Sequence, residues 1–130
     1  MVLAVMALAM AAQQCTRVEL PRALSNWIRL GPGLDTRHAT LLRAQGGRAE
    51  ARVMIRKAGV FGIAIDREGW IDLAPARGKP LRMASENQGP RCSGIRKIVR
   101  YRLRPGAYRV TVGKLQGDRA KLMLVHGLPR

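Results

Sequence analysis

Residues 89–110 read GPRCSGIRKIVRYRLRPGAYRV, and the alternation inside them points to the fold. Along Lys97-Ile98-Val99-Arg100-Tyr101-Arg102-Leu103-Arg104, the set Val99, Tyr101 and Leu103 alternates with Arg100, Arg102 and Arg104. Successive side chains of a strand point to opposite faces, so the first set turns to the core and the arginines turn out. Arg104-Pro105-Gly106-Ala107 then makes a turn, with Pro setting φ and Gly accepting a positive one. Tyr108, Val110 and Val112 face inward on the return strand, which leaves Arg109 outside. The stretch therefore predicts a β-hairpin with Arg100, Arg102, Arg104 and Arg109 on one exposed face.

The same period of two recurs upstream. Ala49, Ala51, Val53 and Ile55 alternate with Glu50, Arg52, Met54 and Arg56, the mark of a half-buried strand. His38 to Ala44, Val60 to Ile65, Trp70 to Leu73, Leu81 to Ser85 and Lys121 to Val125 are further short strand candidates. Gly46-Gly47, Asp66-Arg67-Glu68-Gly69 and the Pro75/Gly78/Pro80 segment separate them. Only Pro21 to Trp27, before the GPG of residues 31–33, suggests a helical turn. Seven or eight short strands at this spacing predict an all-β fold, an antiparallel β-sandwich of jelly-roll or Ig-like type. No internal repeat or linker divides it.

The opening MVLAVMALAMAAQQ holds eleven uninterrupted small or apolar residues, Val2 to Ala12. A membrane span needs about 20. The run fits the apolar region of a secretory signal over residues 1–12, with Ala9-Met10-Ala11 as an A-x-A cleavage site. It departs from that pattern in having no Lys or Arg before Arg17. The alternative is a buried N-terminal helix or strand. A signal over 1–12 leaves residues 13–130 as one domain, placed in the periplasm or secreted. Cys15 and Cys92, the chain's two cysteines, suggest one disulfide in such a domain, although two unrelated buried thiols would read the same. No CxxC or Cys/His cluster provides a zinc site, and no other metal or cofactor motif is present.

Twenty-four basic residues face eight acidic ones, a formal charge of +16 on 130 residues. Such a surface favours polyanions, whether an anionic lipid surface, lipopolysaccharide or nucleic acid. A protein partner also fits. Arginine outnumbers lysine 19 to 5 and the charges are spread singly, so general surface character competes with a dedicated site. The strongest local candidate is the Gly89–Gly94 loop, whose backbone N–H groups with Arg91, Arg96 and Lys97 could form a small anion nest. The arginines Arg100, Arg102, Arg104 and Arg109 would extend it, with solvated charge on an edge strand as the plainer explanation. Nucleic-acid recognition ordinarily adds exposed aromatics for stacking, and Tyr101 and Tyr108 turn inward. Ser93, His126 and Asp72 lack a nucleophile motif, so no hydrolytic triad is assigned.

The segment GPRCSGIRKIVRYRLRPGAYRVTV resembles the core pattern GPxCSGIRKxVxFxLxPGxY of a family of small exported bacterial proteins. Trp70-Ile71-Asp72-Leu73 resembles that family's tryptophan-containing strand, and Cys15 to Leu24 its N-terminal cysteine followed by an LPxAL-like segment. The likeness covers most of the mature chain and is densest over residues 60–125. It implies a β-sandwich of the pre-peptidase C-terminal type. Members are often named homogentisate dioxygenase, which would imply a non-haem iron held by two histidines and a carboxylate. His38 and His126 are the only histidines here and show no ligand spacing. Glu86 and Gln88 stand where that family often carries histidines before the loop. The expectation is a non-enzymatic periplasmic sandwich that recognises an anionic envelope component. A metal-dependent oxygenase and a basic nucleic-acid-binding protein are the alternatives.

Overall fold

Eight strands follow one short 3-10 helix in the computed structural model, which describes Cys15 and residues 19–127. The helix spans Arg22–Ile28. The strands are β1 (Thr40–Arg43), β2 (Ala49–Ile55), β3 (Gly59–Ile65), β4 (Trp70–Pro75), β5 (Ser85–Gln88), β6 (Lys97–Leu103), β7 (Gly106–Gly113) and β8 (Arg119–His126). They form a five-stranded sheet in the order β1-β8-β3-β6-β5 and a three-stranded sheet in the order β2-β7-β4. Every pairing is antiparallel. The proposed leader lies outside the described residues.

The first strand pairs with the eighth, the second with the seventh and the third with the sixth. Those are the pairings of an antiparallel ribbon wrapped into a jelly roll. The ribbon's last pairing is absent, because β5 joins the free side of β6 in the larger sheet instead of pairing with β4. Consecutive strands consequently change sheet at each connection except that from β5 to β6.

The inward residues of the two sheets meet in one core. Ile63, Tyr101, Leu122 and Leu124 of the larger sheet pack with Val53, Leu73, Val110 and Val112 of the smaller one. A second cluster lies behind the larger sheet, where Leu24 and Trp27 of the 3-10 helix cover Ala64, Ile98, Met123 and Val125. That helix explains the continuous apolar run in β3: the strand's middle is covered on both faces. Lys121 places its Nζ 4.4 Å from the Trp27 ring centroid, a cation–π contact at the rim of this cluster.

Two sequence expectations change. The predicted strand over Leu81 to Ser85 is not formed; Met83 stays half exposed, and the strand begins at Ser85 instead. Ser85, Glu86, Asn87 and Gln88 have no apolar alternation, so pairing with Arg100 through Lys97, rather than hydrophobicity, makes them a strand. The predicted β6–β7 hairpin is an arch between sheets: β6 pairs with β3 and β5, whereas β7 pairs with β2 and β4. The same alternation results in both geometries, because the inward sets face each other across the core instead of lying side by side.

Candidate functional site

Cys92 sits in the loop between β5 and β6 at φ 63°, bonded to Cys15 with their Cα atoms 5.2 Å apart. The bridge ties the N-terminal segment to the loop read as an anion nest. Within that loop the Ser93 hydroxyl donates to the Pro90 carbonyl at 2.6 Å and accepts from the Ile95 N–H at 3.0 Å. Ser93 N–H donates to Pro90 and Arg96 N–H to the Ile65 carbonyl. These donors are taken up within the loop itself and by the end of β3. Beside the loop lies an open cleft of about 520 Å3, walled by Glu68, Glu86, Arg91, Arg96 and Lys97. Its cations already meet carboxylates: Arg96 Nη2 lies 2.6 Å from Glu68 Oε2, and Lys97 Nζ lies 3.4 Å from Glu86 Oε1. The nest therefore carries mixed charge, with Arg91 exposed at its edge.

Arg100, Arg102, Arg104 and Arg109 do not share a face. Arg100 is 5% exposed, a correction to the exposed position expected for it. It does lie on the outer side of β6, but β5 and the end of β8 close over it. Its Nε donates to the Gly127 carbonyl at 3.3 Å and its Nη1 to Asn87 Oδ1 at 3.4 Å. Burial holds its guanidinium below the usual arginine range. Arg102 and Arg104 are exposed. Arg109 points from the opposite sheet, with Nε 3.9 Å from Glu50 Oε1 and Nη1 donating to the Ala76 carbonyl at 3.5 Å. An arch separates two strands that a hairpin would have joined. Nor is β6 an edge strand, since β3 and β5 flank it.

The residues do not fit a non-haem iron site. His38 Nε2 lies 2.8 Å from the Pro32 carbonyl and 3.1 Å from that of Gly33, so this nitrogen donates a proton to the Gly31–Gly33 turn. His126 packs its ring against Phe61 in a tilted arrangement, with centroids 4.9 Å apart. Among the described residues no three His, Cys, Asp or Glu side chains group as metal ligands. Ser93, Asp72 and His126 likewise stand on a loop, the smaller sheet and the larger sheet, with Ser93 committed to its own turn.

A different surface emerges on the outer side of the three-stranded sheet. The register places Asp72 beside Thr111 and Glu50 across β7, and Arg109 beside Ala74 and Arg52. Trp70, 63% exposed, stands at the end of β4 and donates its indole N–H to Asp72 Oδ1 at 3.2 Å. Lys114 Nζ lies 6.0 Å from the Trp70 ring centroid. Arg48, Trp70, Asp72, Pro80, Arg109 and Thr111 surround a depression of about 220 Å3.

No protein-family model matches this chain, and no curated protein matches it either.

The geometry alone therefore describes what the depression offers: one flat aromatic ring, two to three cations and a floor of hydrogen-bonding side chains. Sequence reasoning placed Trp70 in a strand but gave it no role. The signal was present, because Trp70 and Asp72 alternate with the buried Ile71 and Leu73, which puts the tryptophan outside.

Proposed function

We propose that this chain is a non-enzymatic, exported β-sandwich protein that binds an anionic component of the cell envelope through its basic exterior. The observation that carries this reading is a charge excess that the fold has no means to neutralise. If every one of the eight carboxylates paired with a cation, sixteen of the twenty-four basic side chains would still lack one. Such an excess destabilises the compact state by self-repulsion and raises the local concentration of polyanions. Export is supported by the Cys15–Cys92 bridge, since structural disulfides persist in oxidising compartments. Among the described residues no helix is long and apolar enough to cross a membrane. Membership in the exported family that the GPRCSGIRK segment resembles belongs to the same proposal, and the sandwich and the bridge support it.

Co-sedimentation with vesicles tests it. Phosphatidylglycerol-containing vesicles and lipopolysaccharide should retain the oxidised protein, and binding should fall steeply as salt rises through the Debye screening of the surface charges. Equal retention on pure phosphatidylcholine, or no dependence on salt, would refute an electrostatic envelope binder.

A further inference from the structure

The aromatic depression on the three-stranded sheet has a more specific chemistry than the rest of the basic surface. Trp70 is an exposed tryptophan on a sandwich that otherwise buries its rings: Trp27, Phe61, Tyr101 and Tyr108 are all below a tenth exposed. Its hydrogen bond to Asp72 fixes the indole relative to the sheet. An exposed ring held in place loses no rotamer freedom when a ligand stacks on it. The negative face of its π-system attracts the weakly positive C–H face of a sugar ring. Around it, Asp72 and Thr111 offer hydroxyl acceptors and a donor, while Arg48, Lys114 and Arg109 supply positive charge. A ligand carboxylate would have to replace the long contacts of Arg109 to Glu50 (3.9 Å) and the Ala76 carbonyl (3.5 Å).

We infer that the outer face of the β2-β7-β4 sheet binds an acidic saccharide, with a pyranose ring stacked on Trp70 and its carboxylate held by Arg109 and Arg48. The assignment rests on the proposed envelope-binding function and names its site and ligand class. Two observations select a saccharide over a nucleic-acid strand. The depression contains a single aromatic ring, whereas single strands are held by successive stacking platforms. Its floor also carries Asp72, with Glu50 across β7 on β2, acceptors that suit the many hydroxyls of a sugar better than the phosphates of a nucleic-acid strand. Charge complementarity selects an acidic sugar over a neutral one, because a carboxylate gains charge-assisted bonds from a guanidinium.

Titration calorimetry and tryptophan fluorescence of the oxidised protein test this with trigalacturonic acid, a neutral trisaccharide and a dT oligonucleotide as probes. Trigalacturonic acid should bind at least tenfold more tightly than the neutral sugar and change the emission of Trp70. Trp70→Ala should lose at least tenfold, with Trp70→Phe recovering most of it. Arg109→Gln should abolish the preference for the acidic sugar. Both sites are exposed or half exposed, and circular dichroism with the thermal midpoint verifies that each variant folds. Because Trp70→Ala leaves the net charge unchanged, a purely electrostatic association would not respond to it, and that result would overturn the site. Tighter binding of dT than of the sugar through Trp70 would overturn the saccharide assignment. Retention on anionic vesicles without any Trp70 dependence would remove the site and leave the envelope-binding function standing; loss of binding to every polyanion would remove both.

Discussion

The Tyr108 hydroxyl closes back onto the backbone of Arg104, accepting from its N–H at 3.1 Å and donating to its carbonyl at 2.7 Å. Arg104 is the first residue after β6 and Tyr108 the third of β7, so the ring bridges the arch that carries the chain between sheets. It is the tyrosine corner of β-sandwich folds, built here around Pro105 and Gly106. Gly106 adopts φ 149°, which side-chain-bearing residues avoid. The aromatic body of Tyr108 is buried in the core while its hydroxyl replaces the pairing that Arg104 would have had in a hairpin.

Tyr108→Phe removes both bonds and keeps the packing. The expected loss is about 1–2 kcal/mol of unfolding free energy, at the lower end if water reaches the Arg104 backbone. Arg104→Ala, which deletes an exposed side chain and leaves the corner intact, should stay within about 0.5 kcal/mol. Urea denaturation of the two variants separates the possibilities. Equal stabilities would mean that the corner does not hold the arch.

Gly62 and Arg100 pair across β3 and β6 and form a second such relationship. A Cβ on Gly62 would lie 2.7 Å from Ile98 Cγ2 and 3.2 Å from Arg100 Cγ, so Gly62→Ala should cost about 1–3 kcal/mol by overpacking. Arg100→Met keeps a long stem against Gly62 and removes a desolvated charge. Replacement of buried ions by apolar groups of similar volume is often neutral or stabilising, so this variant should lose less than about 1 kcal/mol. A larger loss than that of Gly62→Ala would show that the guanidinium's bonds to Gly127 and Asn87 outweigh its burial.

Much of this architecture is legible in the amino-acid order, and the misses share a cause. Alternation located β2, β6 and β7 closely, since one face of each meets the core. Alternation cannot say which sheet a strand joins. Val99-Tyr101-Leu103 and Tyr108-Val110-Val112 present the same pattern in a hairpin and in an arch, and that ambiguity put Arg109 on the wrong face. The burial of Arg100 depends on β5, a polar strand defined by its partner. The cysteine pair was legible; its loop's internal hydrogen bonding was not, because Ser93 acts through local geometry. The aromatic depression combines residues from β4 and β7 with Arg48 just before β2, and only the register brings them together.

The Cys15–Cys92 bridge spans 77 residues, and closing a loop of that length contributes roughly 4 kcal/mol on the chain-entropy account. The joint variant Cys15→Ser with Cys92→Ser should lose an amount of that order in guanidinium denaturation. Thiol titration of the denatured wild type should find no free thiols until reductant is added. A pair of titratable thiols in protein purified from an oxidising compartment would rule out the bridge.

Tyr101 makes the alkaline limb of stability specific. Burial, with the Asp72 and Glu86 charges adding to it, pushes its hydroxyl up to about 12, and its proton faces the Ile71 carbonyl at 3.4 Å. In the unfolded chain the same group ionises near pH 10. The folded state thus favours the neutral phenol, and its stabilising contribution is complete below pH 10. It is lost progressively as pH rises from 10 towards 12, by an amount on the order of 2–3 kcal/mol. Tyr101→Phe should show a shallower decline over that window while keeping the wild-type slope near neutrality. Urea midpoints at pH 8, 10 and 11.5 measure it, and parallel curves for the two proteins would place the alkaline loss on other groups.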